Sequence, residues 1–382
     1  MPFLRNSKAG LAAGTLLAAG VLAAPPAAAA DSAGAGRPMP AETYPYVDGV
    51  LELTLGDDYV FRSDDPANEI NDLFFEAWLG LTVGLTPIFS INAGLTLEAV
   101  EDPGPFEDRH FGDMGLYVDT LNLQADLGKF SVVAGKFGPG FGTAWDITPG
   151  VYGTDFAEDY ELSEQFGLGL AYTFETAGHG THTLGANVFF ADTTALSESV
   201  FTRRGRLDVI DGGAGNTEEL DNFSVTLDGK DFPGLSGFSY HLGYRHLSAG
   251  LGDPEDENGF AAGLAQSLDL GNGASLALNG EVAYFSNYGG SLDDALYVTS
   301  GLALASGPWH GEIAGTIRKF DFDGGDDQTD YLAQVSGGYT FDNGVDVSLG
   351  YGFAREAEID THALGVRLTK SFEFSTRTAA AE

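Results

Sequence analysis

NDLFFEAWLGLTVGL, residues 71–85, places apolar side chains at Leu73, Phe75, Ala77, Leu79, Leu81, Val83 and Leu85, with Asp72, Glu76, Thr82 and Gly84 between them. A strand turns successive side chains to opposite faces, so the run describes one apolar face backed by a polar or small one. Residues 89–98 repeat the pattern, with Phe89, Ile91, Ala93, Leu95 and Leu97 against Ser90, Asn92, Gly94, Thr96 and Glu98. So do residues 345–353, where Val345, Val347, Leu349, Tyr351 and Phe353 alternate with Asp346, Ser348, Gly350 and Gly352. Sixteen such segments are expected between Val47 and Phe374: 47–55, 71–85, 88–99, 115–127, 129–137, 166–175, 181–191, 222–229, 237–247, 259–268, 274–285, 295–305, 308–318, 329–341, 344–353 and 360–374.

The connectors alternate between short and long. Short turns fall at Thr86-Pro87, Gly128, 177–180, 231–236, 271–273, Ser306-Gly307 and Asp342-Asn343, most with residues that tolerate tight backbone angles. Longer, Asp-, Glu- and Gly-rich connectors fall at 56–70, 100–114, 138–165, 192–221, 248–258, 286–294, 319–328 and 354–359. This is the pattern of an all-β, transmembrane antiparallel up-and-down β-barrel of about sixteen strands, spanning 47–374, with both ends on the short-turn side. Lipid offers backbone groups no hydrogen-bonding partner, so an open sheet edge is excluded and the sheet must close. Sixteen strands enclose a water-filled lumen instead of a packed core.

Composition agrees. Residues 1–30 have Arg5 and Lys8, then an apolar stretch from Leu11 to Ala24, then Ala28-Ala29-Ala30, the layout of a cleavable secretory signal. Residues 31–46, with Pro38, Pro40 and Pro45, read as a flexible leader. The chain carries 56 Asp and Glu against 18 Lys and Arg, a net charge of −38, which argues against a nucleic-acid partner. Cysteine is absent, so disulfides, thiolate metal sites and thiol nucleophiles are excluded. Past the signal, no apolar run reaches the roughly 20 residues that a membrane helix needs.

With this architecture in view, the stretch AGKFGPGFGTAWDITPGVYGTDFAEDYELSEQFGLGLAYTF, Ala134 to Phe174, is similar to the strand, third loop and strand of Gram-negative porins of the alphaproteobacterial kind. The resemblance covers nearly all of the chain after the signal. It implies a third long loop, Gly138 to Gln165, that folds into the barrel and narrows it, and assembly as a homotrimer. It also implies a location in the bacterial outer membrane, in contact with the lipid bilayer and lipopolysaccharide. Porin chains usually finish on an aromatic residue, whereas here Ser375 to Glu382 follow Phe374 as a short tail.

In that loop Asp146, Asp155, Glu158, Asp159, Glu161 and Glu164 are the expected pore constriction, with no Lys or Arg among them. Carboxylates around a narrow aperture attract cations and repel anions. Alternation places Asp48, Glu52, Glu76, Glu98, Glu281, Glu312 and Asp346 on the pore wall, with His241, Arg245, Arg318 and Arg367 as its basic members. Those four groups either form a basic strip facing the acidic loop or pair with nearby carboxylates. Lys136 is ambiguous by alternation, and the resemblance favours the pore side.

Tyr117, Phe130, Phe137, Phe166, Phe174, Tyr284, Trp309, Tyr339, Phe341, Phe353 and Phe372 fall near strand ends, where interfacial aromatic girdles are expected. The acidic segments 253–259 and 321–330 supply oxygen ligands suited to weakly bound calcium, without the spacing of an EF-hand, and no other metal or cofactor is expected. Arg203, Arg204 and Arg206 form a basic cluster that either folds inward or stays in solvent. Nothing pairs a nucleophile with a base, so no enzyme is expected. The leading expectation is a passive diffusion channel for small hydrophilic solutes with mild cation selectivity. The alternatives are a substrate-specific channel for an anion or sugar, and a plugged, non-conducting surface or adhesive barrel.

Overall fold

The computed structural model describes residues 44–204 and 207–377. The signal and most of the leader, Arg206 and the last five residues of the tail lie outside the described residues. The described chain is a closed antiparallel barrel of sixteen strands. These are β1 (Tyr46–Ser63), β2 (Asn71–Gly84), β3 (Phe89–Ala99), β4 (Met114–Leu127), β5 (Phe130–Phe137), β6 (Gln165–Thr176), β7 (Gly180–Ala191) and β8 (Asn222–Lys230). The second half comprises β9 (Phe238–Leu247), β10 (Glu257–Gly271), β11 (Ala274–Ser286), β12 (Asp294–Ser306), β13 (Trp309–Asp321), β14 (Gln328–Thr340), β15 (Val345–Glu356) and β16 (Ile359–Ser375). Closure is made by β1, which sets Thr54 opposite Glu76 of β2 on one edge and opposite Thr369 of β16 on the other.

The pleat sorts the side chains. On β16, Leu364, Val366 and Leu368 point outward and are exposed, while Ala363 and Arg367 between them point into the lumen. Leu168, Leu170, Leu264, Ile313, Val335 and Leu349 continue the exposed apolar belt around the barrel. Such a belt is complementary to hydrocarbon, not to water. Aromatic residues mark both rims. Phe130 stacks on Tyr172 with ring centroids 4.7 Å apart at the short-turn rim, and Tyr351, Phe353 and Phe61 gather around His362 at the long-loop rim. Two residues expected in the girdles are instead buried. Tyr117 faces the lumen and donates its hydroxyl to Glu98 at 2.6 Å, and Phe137 lies where β5 turns inward. A register shift where β3 meets β4 changes the parity on β4, which is why Tyr117 lies inside.

Two loop segments complete the wall. β5 stops at Phe137, opposite the middle of β4, so the upper end of β4 lacks a partner on that edge. Val200–Phe201 of the fourth loop (192–221) pairs there with Gly115–Leu116. Arg109–His110 of the second loop (100–113) pairs likewise with Asp72–Leu73 of β2. In each case the patch satisfies backbone groups that would otherwise be unpaired. β1 extends to Ser63, well past the expected end at residue 55, because Asp58 is accommodated inside the barrel by Arg367, whose nitrogens lie 2.8 and 2.9 Å from its two oxygens.

Candidate pore constriction

The third loop, residues 138–164, runs inside the barrel. Its first apolar group, Phe141, Ala144 and Tyr160, packs on lumen-facing Ala261, Ala283, Phe285 and Tyr297 of β10, β11 and β12. The second, Tyr152 and Phe156, packs on Val60, Leu332, Ala354 and Ala363 of β1, β14, β15 and β16. Fully burying a side chain of this size contributes about 1.5–3 kcal/mol.

The wall makes room with glycines. A β-carbon on Gly301 of β12 would come within 2.3 Å of Pro149, and one on Gly350 of β15 within 2.7 Å of Val151. Gly243, Gly263 and Gly365 are crossed in the same way by Phe141, Thr143 and Val151. With Gly140 against Thr226, the line of contact sweeps from β8 round to β1. The wall from β2 to β4 lies outside this arc.

Polar wall residues bolt the loop down. Glu281 accepts hydrogen bonds from Thr143 N at 2.7 Å, Thr143 Oγ1 at 2.9 Å, Ala144 N at 3.1 Å and the Tyr160 hydroxyl at 2.7 Å. His241 Nε2 accepts from Gly142 N at 3.1 Å, and Gln334 donates to Pro149 O at 3.0 Å. Arg245 donates to Glu257 and to Tyr160 O, both at 2.7 Å. Arg318 binds Asp159 at 2.6 Å, Asp330 at 2.7 Å and Glu356 at 2.6 Å, and it lies over the Phe156 ring. The Tyr152 hydroxyl donates to Asp58, which Arg367 also holds. His241, Arg245, Arg318 and Arg367 therefore sit behind the loop and are engaged with carboxylates, not displayed as an open basic strip.

The loop carboxylates divide into four groups. Glu164, at the root of the loop, binds Lys136 at 2.8 Å and also Arg204. Asp159 is held by Arg318, and Glu158 accepts from Thr154 at 2.6 Å. Asp155 and Glu161 are partly exposed on the loop. Asp146 sits in the short helix α1 (Ala144–Ile147). Ala144 is fully buried against the wall. Two residues on, roughly 200° round the helix, Asp146 lies on the side away from Ala144 and is partly exposed. Burial in the constriction pushes its carboxyl from the usual 3.8 up to about 6.

Lys136 corrects its expected place. It is completely buried, bound to Glu164 and Asp192 at 2.8 Å each and to Ser197 at 3.3 Å, where the third loop leaves the wall and the fourth loop closes behind it. Arg204 folds inward beside it, over the Tyr117 ring at 3.8 Å, while Arg203 is exposed. Among the other expected wall residues, Glu76 and Glu98 are buried on the lumen side. Glu312 is bonded to His310 at 2.5 Å and to Ser336 at 2.6 Å. Trp78 escaped the sequence reading, although its even position on β2, in phase with Asp72 and Glu76, was the available signal.

Solved structures of similar fold point the same way. OprB of Pseudomonas putida matches over 86% of this chain and 94% of its own, with TM-score 0.57 at 13% identity. DcaP of Acinetobacter baumannii matches over 85% and 97%, with TM-score 0.56 at 10% identity. OpdK of Pseudomonas aeruginosa, solved with vanillate, matches over 86% and 99%, with TM-score 0.53 at 11% identity. This chain has the fold of outer-membrane channels. No protein-family model matches the chain, and no curated protein matches it. Among the described residues, no group of three or more His, Asp or Glu side chains is arranged to hold a metal ion. Of the acidic segment 253–259, Asp253 accepts from Gly250 N at 2.9 Å and Glu257 binds Arg245.

Proposed function

We propose that this protein is a bacterial outer-membrane porin, a passive diffusion channel for small hydrophilic solutes with a mild preference for cations. Solutes pass between the front of the third loop and the uncovered wall of β2 to β4. The observation that carries the preference is where the positive charge goes: Arg245, Arg318 and Arg367 are engaged behind the loop, while Asp146 and Glu158 stand on the loop itself. A phosphate- or other anion-specific channel would need those cations displayed to the lumen. Assembly as a trimer and contact with lipopolysaccharide extend the same reading. So does weak calcium binding at the acidic loops, and no catalytic step is assigned.

The test is the reversal potential of the mature chain in a planar bilayer under a potassium chloride gradient. A cation-selective potential is the expected result, and an anion-selective one overturns the preference. Asp146→Asn with Glu158→Gln is expected to lower the permeability ratio towards unity. The pH dependence follows from the raised carboxyl. Asp146 is ionised above about 6 and neutral below it, so selectivity is full near pH 7.5 and weakens as pH falls through that value. Asp146→Asn alone should remove this step. A step at the same pH in that variant would assign it to another group.

A further inference from the structure

We infer that the pore wall opposite the loop carries a binding shelf for organic cations, built on Trp78 and flanked by Glu52 and Asp119; this rests on the cation-preferring channel proposed above. The shelf starts from a glycine pair. Gly80 of β2 and Gly94 of β3 sit opposite each other in register and face the lumen. A β-carbon on Gly80 would lie 2.4 Å from the Trp78 ring, and one on Gly94 would lie 1.9 Å from Asp119 Oδ1. The bare backbone at this pair thus lets the indole lie down over β2 and lets the Asp119 carboxylate lean over β3. Trp78 Nε1 donates to Asp119 Oδ2 at 3.0 Å, and Thr96 donates to the same oxygen at 2.6 Å, which fixes both groups. With one side of the indole against the wall and the residue partly exposed, the other side is presented to the lumen.

Charge accounting identifies the ligand. Most lumen carboxylates have a cation within the protein: Asp58 has Arg367, Asp72 has Arg109, Glu257 has Arg245, Asp330 has Arg318, Asp192 has Lys136, and Glu312 and Asp346 share His310. Glu52 and Asp119 have none among the described residues. Glu52 is 6% exposed, and among the described residues its carboxylate accepts from the Ser371 hydroxyl at 2.9 Å. Among the described residues, Asp119 accepts from Trp78 and Thr96, both through Oδ2. Asp119 bonds Trp78 directly, and Glu52 stands beside it on the next strand with its carboxylate turned towards Ser371 of β16. Glu52 is the directly opposed neighbour of Trp78 on β1, about 5 Å away between β-carbons, and Asp119 reaches the indole from β4 across Thr96 of β3.

A carboxylate so nearly buried is costly without a counter-charge, and an aromatic face between two carboxylates attracts a cation through both its quadrupole and their charge. A sugar would stack on the indole equally well but would leave both carboxylates uncompensated. A guanidinium or alkylammonium group satisfies all three. Below the shelf, Thr82, Asn92, Asn122 and Gln124 form a hydrogen-bonded row of hydroxyl and amide groups that ends on Asp126 at the short-turn rim.

The test is block of potassium current through single channels of the mature protein by agmatine, with glucose as the neutral comparison. Agmatine is expected to interrupt the current at millimolar concentration and glucose is not. Trp78→Ala and Asp119→Asn should each weaken the block about tenfold, and Trp78→Phe, which keeps a ring, should retain most of it. Equal block in the parent and Trp78→Ala overturns the shelf, as does equal block by glucose. A channel that stays cation-selective in potassium chloride yet ignores agmatine overturns the shelf and leaves the porin reading standing. An anion-selective channel overturns both. Should Trp78→Ala fail to insert, Asp119→Asn decides, because it keeps the ring and the hydrogen-bond geometry and removes only the charge.

Discussion

Replacing residues 143–160 by a short glycine-serine linker is expected to raise unit conductance several-fold and to bring the cation-to-anion permeability ratio close to unity. Both changes come from the same removal. The segment fills the lumen along β8 to β1, so its loss returns that cross-section to water, and it takes with it Asp146, Asp155, Glu158 and Asp159. The ends to be joined belong to neighbouring strands, β5 and β6, which pair Phe137 with Gln165, so a short linker suffices. The wall arginines keep Glu257, Asp330, Glu356 and Asp58, so the barrel is not left with unpaired buried cations. Single-channel recording in planar bilayers reads both quantities. An unchanged conductance would show that the loop does not set the aperture.

Lys136→Ala is expected to cost about 3–5 kcal/mol of stability. It strands the buried carboxylate of Asp192 without a cation and leaves Glu164 with Arg204 alone. Folded barrel in detergent, followed by urea unfolding against the parent, gives the difference. The partner test adds Asp192→Asn to Lys136→Met, which exchanges the fully buried pair for neutral side chains of similar volume and leaves Glu164 with Arg204. That double variant is expected to recover much of the loss, since replacing both members of a buried ion pair is often close to neutral. A double variant as unstable as Lys136→Ala would instead assign the effect to packing of the lysine stem.

The strands were legible because lipid on one side and water on the other impose a period of two on every staff of the barrel. Thus β3, β15 and β16 end within a few residues of where alternation puts them. The upper half of β1 was not legible. Asp57 and Asp58 look like loop residues until Arg367, more than 300 positions later, is seen to neutralise Asp58 inside the barrel. The candidate site was legible in composition and not in arrangement. Periodicity indicates that Arg318 faces inward, but not that Asp159 crosses the lumen to meet it. Lys136 fell where β5 leaves the wall, and its partners come from the third and fourth loops, which alternation cannot place. Tyr117 was misplaced for a local reason, since one irregularity in the pairing of β3 and β4 reverses the facing of everything beyond it.

The lane of glycines behind the third loop separates two properties that most apertures entangle. Calibre is written on the wall, in the side chains missing at Gly243, Gly263, Gly301, Gly350 and Gly365, because the depth at which the loop lies follows from how closely its side chains can approach the wall backbone there. Electrical character is assigned in the proposed channel to carboxylates of the loop itself, Asp146 and Glu158, which are partly exposed. In the channel proposed above, selection by size can therefore change through small residues on the wall behind the loop, and selection by charge can change without moving the backbone.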